Sequence, residues 1–259
     1  MGKLWIRVIL IGIAVIIANA NSFALGEISR SVNASPIALV ADATGTGVYV
    51  AEFLPKKLVH VILSSGQEDW SASLPASPTG LILGADRERI YVTLNGPQGK
   101  VLALDAKTGH ILFSVAVGHS PSGPSLSPNG ELLAVCNRFS NSVNLIDIGK
   151  QKVIAEINLS REPVASIFTP DGKNLLVTNL LPAGSTSSGY TAATVSLVDP
   201  MRKILVGHLR LPNGSTLLRG VAVSPNGDYA YVTHNLGRYT APTTQVERGW
   251  MNTSAISIV

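Results

Sequence analysis

Two histidines, His119 and His234, and the arginines Arg138, Arg161, Arg219, Arg238 and Arg248 are the side chains of this 259-residue chain best suited to chemistry. A guanidinium group presents a fixed fork of donors that matches carboxylates and phosphates, so a cluster of arginines reads as an anion site. Histidine adds a base or an axial ligand. Asn137, Asn179, Tyr239 and Trp250 would add hydrogen bonds and aromatic surface. Together they suit an anionic ligand, an acidic partner or a haem propionate. Other chemistries lack their spacing. The single cysteine, Cys136, allows neither an intrachain disulfide nor a Cys-x-x-Cys-His haem attachment, and it reads as a small buried hydrophobe. No metal-ligand spacing occurs, and Gly45-x-Gly47 lacks the third glycine of a dinucleotide loop. His119 and Ser120 are sequence neighbours without a third group, and His60, His110 and His208 read as structural.

Those candidates are positioned by a repeat. The short strand Tyr49-Val50-Ala51-Glu52 recurs as Tyr91 to Leu94, Ala134 to Asn137, Leu176 to Asn179 and Tyr231 to His234, at intervals of 42, 43, 42 and 55 residues. A proline two residues before a small residue recurs with the same intervals: Pro36/Ala38, Pro78/Gly80, Pro121/Gly123 and Pro163/Ala165. In the fifth copy Leu218 replaces proline and Gly220 keeps the small residue. Each unit predicts four antiparallel strands, A to D. Ser127-Pro128-Asn129-Gly130 and its counterparts at Thr169 and Ser224 turn A into B, because proline presets the first turn position and glycine supplies the left-handed one. Strand C ends at Asp105, Asp147 or Asp199, repeated in register as turn residues are. Four strands per unit at a fixed period predict an all-β fold, a β-propeller of four-stranded antiparallel blades starting near 35, 77, 120, 162 and 217. A β-sandwich would leave the period unexplained. The fifth blade stops in strand C at Ile256 to Val259, so the expectation is about five blades of a seven- or eight-bladed ring. Glu27 to Val32 read as a strand D that would close the last blade of the whole ring.

Strand order decides which loops share a face. The D–A and B–C loops leave one end of the ring, and the A–B and C–D turns leave the other. Both long insertions, after Asn179 and after His234, fall in B–C loops, so they are expected on one face beside the channel mouth. His119 and Arg161 fall in D–A loops, Arg219 precedes the small residue Gly220, and Asn137, Arg138, Asn179 and His234 end B strands. The ligand-binding residues expected at that face are therefore His119, Asn137, Arg138, Arg161, Asn179, Arg219, His234, Arg238, Arg248 and Trp250. Ser185 to Gly189 in the fourth-blade insertion read as a flexible linker.

The Tyr-Val-Thr-Asn marker, the Ser-Pro-Asn/Asp-Gly turn and the strand ending in Ile-Asp resemble the YVTN-repeat β-propellers, similar in fold to the propeller of haem-containing nitrite reductases. The resemblance spans Ser35 to Val259 and carries fold more than function. The marker departs from Asn at Glu52, Leu94 and His234. The segment from His234 to Asn252 further resembles one in large exported propeller proteins whose C-terminal part carries c-type haem. That resemblance implies a haem domain in the intact protein, while the lack of Cys-x-x-Cys-His leaves no cofactor expected in this chain itself.

Lys3 and Arg7, the apolar run Val8 to Ala18 and the small-x-small sites Ala18-Asn19-Ala20 or Ser22-Phe23-Ala24 predict a cleavable signal over residues 1–24, with an uncleaved anchor as the alternative. The mature domain, 25–259, is then expected outside the cytoplasm, periplasmic or at the cell surface, without a membrane span. Without Lys3 and Arg7 the formal charge falls from +4 to +2, which speaks against a nucleic-acid partner. Three functions stay open. One is a non-catalytic module binding a protein partner or an anionic ligand, supporting electron transfer with the haem domain. Another is a propeller enzyme that holds a redox cofactor or a small lactone at the channel mouth, where only His119 and His234 would serve. The third is a cell-surface scaffold with no small ligand.

Overall fold

A computed structural model describes residues 34–185, 187–238 and 251–259, and among these every regular element is a strand. The signal segment, the strand expected at Glu27 to Val32, and Tyr239, Arg248 and Trp250 lie outside the described residues. Blade one contains β1 (Pro36–Ala41), β2 (Gly47–Glu52), β3 (Lys57–Ile62) and β4 (Glu68–Ser73). Blade two contains β5 (Pro78–Leu83), β6 (Arg89–Leu94), β7 (Lys100–Asp105) and β8 (Ile111–Ala116). Blade three follows with β9 (Pro121–Leu126), β10 (Leu132–Asn137), β11 (Ser142–Asp147) and β12 (Lys152–Asn158). Blade four has β13 (Pro163–Phe168), β14 (Leu175–Asn179), β15 (Thr194–Asp199) and β16 (Ile204–Arg210). Blade five has three strands, β17 (Ser215–Val223), β18 (Ala230–Gly237) and β19 (Asn252–Ile258). Each sheet is antiparallel and runs in chain order, and the first strands of successive blades pack side by side. The protein is thus an all-β propeller of blades.

The turns carry the chemistry expected of them. Gly130, Gly172 and Gly227 hold φ of +73°, +71° and +80°, and each donates its amide to the carbonyl three residues earlier. Asp105 accepts the Thr108 amide and hydroxyl, both at 2.8 Å, and Asp147 accepts the Lys150 amide at 2.8 Å. These aspartates close C–D turns by bonding to nearby backbone.

The core lies between blades. One apolar layer joins blade one to two through Tyr49, Leu58, Ile90 and Leu104, and a second joins two to three through Tyr91, Val101, Leu133 and Val135. Cys136, Val143, Leu175 and Val177 fill the third, and Leu176, Val195, Leu218 and Val232 the fourth. Alternate residues of each B strand face opposite neighbours, because the side-chain period of a strand is two. At the axis the inner strands crowd: a Cβ added at Gly80 would lie 2.6 Å from the Pro124 ring and 3.4 Å from the Gly123 backbone nitrogen. Hydroxyls stitch the same region, since Thr79 donates to the Pro121 carbonyl and Ser122 to that of Val164.

Blade five departs from the others in height. His234 to Ile256 would be a 22-residue loop by the repeat, yet Asn235, Leu236 and Gly237 pair with Ser254, Thr253 and Asn252. The hairpin simply continues. In the fourth-blade insertion the Ser185 carbonyl, at the start of the expected linker, accepts hydrogen bonds from the Ser188 amide and hydroxyl and from Thr191 Oγ1. Tyr190 donates its hydroxyl to the Leu211 carbonyl, and Arg210 lies 5.1 Å over its ring.

Candidate functional site at the channel mouth

One backbone latch repeats around the mouth. The residue after each of the first four B strands donates its amide to the residue before the A-strand proline: Phe53 to Ser35, Asn95 to Ser77, Arg138 to Ser120 and Leu180 to Glu162. Ser35, Ser120 and Glu162 hold positive φ, and Leu217 does so in blade five although no proline follows. In these four blades the latch ties the B–C loop to its D–A loop, so side chains from both converge on the axis. The result is a concavity of about 520 Å³. It is lined by the residue before each small A-strand residue, namely Ile37, Thr79, Ser122, Val164 and Arg219, together with Phe53, Asn95, Arg138 and Phe139.

The expected site residues divide into two groups. Arg219 and Arg138 line the concavity. Arg219 is exposed, and among the described residues no hydrogen bond or ion pair engages its guanidinium. Arg138 is neutralised, since Nε and one terminal nitrogen reach Glu162 Oε2 at 2.9 and 2.8 Å. Arg161 is exposed and unpaired among the described residues but does not line the concavity. Arg238 is exposed at the end of the tall blade-five hairpin, beside Met251 and Asn252. His119 packs the edge of its ring on Phe139, with centroids 5.1 Å apart, and its amide donates to Ser140 Oγ.

The second group works inside the blades. Asn137 is fully buried, and its Nδ2 donates to Ser142 Oγ and Asn144 Oδ1 at 3.0 and 2.8 Å. Asn179 donates to the Thr194 carbonyl and Ser196 Oγ at 2.8 and 2.9 Å. His234 takes the same place in blade five, with Nε2 2.9 Å from Ser257 Oγ. Asn144, Ser196 and Ser257 hold one position on their C strands. The marker's last residue is therefore a staple between strands B and C, and His234 stands in for the amide. It is 4 % exposed and lines, with Arg219, an adjoining hollow of about 480 Å³ on blade five. The other two departures are less polar in effect: Leu94 is buried, and desolvation above all, with Glu68 nearby, raises the Glu52 carboxyl despite Lys57.

Phe53, Asn95 and Phe139 were not expected at the site. Phe53, Asn95 and Arg138 stand 42 and 43 residues apart, so the repeat itself marks them, while Phe139 is visible only through the fold. Thr79, Ser122 and Ser120 spend their hydroxyls on Pro121, Val164 and Asn95. Chemically, the concavity offers apolar and aromatic surface and, among the described residues, the unpaired guanidinium of Arg219.

Neither a protein-family model nor a curated protein matches the sequence. Among solved structures, the chain is similar to a Kuenenia stuttgartiensis hydrazine synthase chain, with TM-score 0.78, 21 % identity, and coverage of 92 % of this chain and 66 % of that one. It is also similar to a functionally unknown protein from Desulfotomaculum acetoxidans, with TM-score 0.63, 16 % identity and coverage of 77 % and 64 %. This chain spans about two thirds of each. At such identities the likeness is one of fold.

Proposed function

We propose that this propeller is an exported, non-catalytic binding module whose channel mouth receives an anionic ligand or an acidic partner, in support of electron transfer with a c-type haem domain of the intact protein. The observation that supports binding is Arg219, exposed and unpaired among the described residues at the rim of a 520 Å³ concavity. An arginine without a counter-ion beside apolar walls favours a carboxylate or phosphate more than bulk water does. Export rests on the signal pattern of residues 1–24, and haem association on the resemblance of the segment after His234. No second reading is favoured, since neither histidine lines the concavity and His234 serves its own blade.

The test is fluorescence anisotropy of labelled poly-glutamate with the full chain at rising NaCl. Binding should weaken steeply with salt, and an Arg161→Ala/Arg219→Ala double variant should bind about tenfold more weakly. Equal affinity of both proteins would remove these arginines from the site.

A further inference from the structure

We infer that Phe139 is the anchor of a protein-docking surface at the channel mouth, and that its partner is an acidic protein segment carrying an aromatic or large aliphatic residue. This deepens the binding reading above and rests on it.

Phe139 is 51 % exposed, unusual for a phenylalanine, yet it is not loose. Its own amide donates to the His119 carbonyl at 3.3 Å, and the preceding Arg138 amide donates to Ser120 at 3.2 Å. The ring is flanked on one side by the His119 edge and on another by the Arg138 guanidinium, 4.9 Å from its centroid. That guanidinium is itself held by Glu162. A ring fixed before binding loses little conformational entropy when a partner covers it, which is what makes an aromatic anchor effective.

The neighbouring concavity suits a protein segment better than a small metabolite. A metabolite site needs several convergent free polar groups to fix orientation. Here the mouth hydroxyls are already committed to carbonyls and Asn95, leaving aliphatic walls from Ile37 and Val164 beside Arg219.

Charge decides the partner's sign. Asp42, Asp86, Asp105, Asp147, Asp171, Asp199 and Asp228 all occupy A–B or C–D turns, at the far end of the blades. At the mouth end stand Arg138, Arg161, Arg219 and Arg238, against the strand-end carboxylates Glu52 and Glu162. At the far end Arg89, Lys150 and Lys173 pair with Asp86, Asp147 and Asp171, and Arg87, Lys107, Arg202 and Lys203 offset others. That end is therefore close to balanced, while the mouth end is net positive and draws an acidic segment.

Two synthetic peptides of equal negative charge provide the test, one with a central tryptophan and one with serine in its place, each titrated into the full chain. The tryptophan peptide should bind about tenfold more tightly, and Phe139→Ser should erase that advantage while changing the serine peptide's affinity far less, a thermal scan showing that the variant is still folded. Arg219→Ala should weaken both peptides alike. Equal affinity of the two peptides for the unmodified protein overturns the anchor while leaving the anion reading intact. If neither peptide binds, both fall.

Discussion

Gly123 and Val164, on adjacent inner strands, approach so closely that a Cβ on Gly123 would lie 2.4 Å from the Val164 carbonyl oxygen and 2.6 Å from Ala165 Cα. Both obstacles are backbone, which cannot rotate away, and Gly123 itself holds φ of +53°. The third and fourth blades meet through this contact. Gly123→Leu should therefore cost on the order of 3 kcal/mol and lower the melting temperature by roughly 5–10 °C. Gly220→Ala should cost less, because a Cβ there would meet only Thr233 Oγ1, at 2.9 Å. Thermal scans of the two variants check the order, and an unchanged curve for Gly123→Leu would show the inner strands to be looser than described.

His234 offers a sharper separation of roles. If it substitutes for the staple amide, His234→Asn should fold with a melting temperature within about 2 °C of the original. His234→Leu, which leaves the Ser257 hydroxyl without its partner, should lose about 1 kcal/mol. Poly-glutamate binding should be the same for His234→Asn as for the unmodified chain. A large loss of binding in that variant would return the imidazole to the ligand site.

Cys136 tests the integrity of the blade-three core. Desolvation by burial pushes its thiol up to about 12, against a slight opposing hydrogen bond from Ser166. Thiolate is the reactive species, so the native protein should resist thiol-directed disulfide reagents at pH 8 and react only with unfolding. Reaction of the native chain within seconds would mean that the layer between blades three and four opens readily.

The C–D and A–B turns should make the fold acid-sensitive. Hydrogen bonds from the Thr108 side chain and backbone hold Asp105 below its ordinary 3.8, those from Lys150 do the same for Asp147, and the Thr169 hydroxyl lowers Asp171. A carboxyl lowered in the folded state contributes stability above its unfolded pKa, and that contribution disappears as pH falls through the folded value. Melting temperature should thus hold from neutrality to about pH 5 and fall below about pH 4. The triple variant Asp105→Asn/Asp147→Asn/Asp171→Asn should be less stable at pH 7 and show a shallower acid decline. An identical pH profile would show that the turns draw no stability from the charge.

The sequence alone determined the blade. Period, turn chemistry and the alternation of apolar residues are local properties, so the repeats of Tyr-Val-Thr-Asn type and the Pro-Asn-Gly turns specified four-stranded sheets and the end from which each loop leaves. Asp105 and Asp147 were legible as turn residues for the same reason, since their partners lie three residues away. The tertiary structure decided what each polar side chain meets. Asn137 and His234 sit at loop-proximal strand ends that read equally well as ligand positions. Only the strand pairing shows that β18 runs on past His234 to Gly237 and that the two side chains turn across to Asn144 and Ser257. Phe139 carried no periodic signal, and its role depends on Arg138, His119 and Glu162 being brought together by two different loops. A repeat predicts the direction of the backbone because neighbours in sequence set it. The contacts of a side chain at the axis are set by residues about 42 positions away, and only packing the blades together brings those within reach.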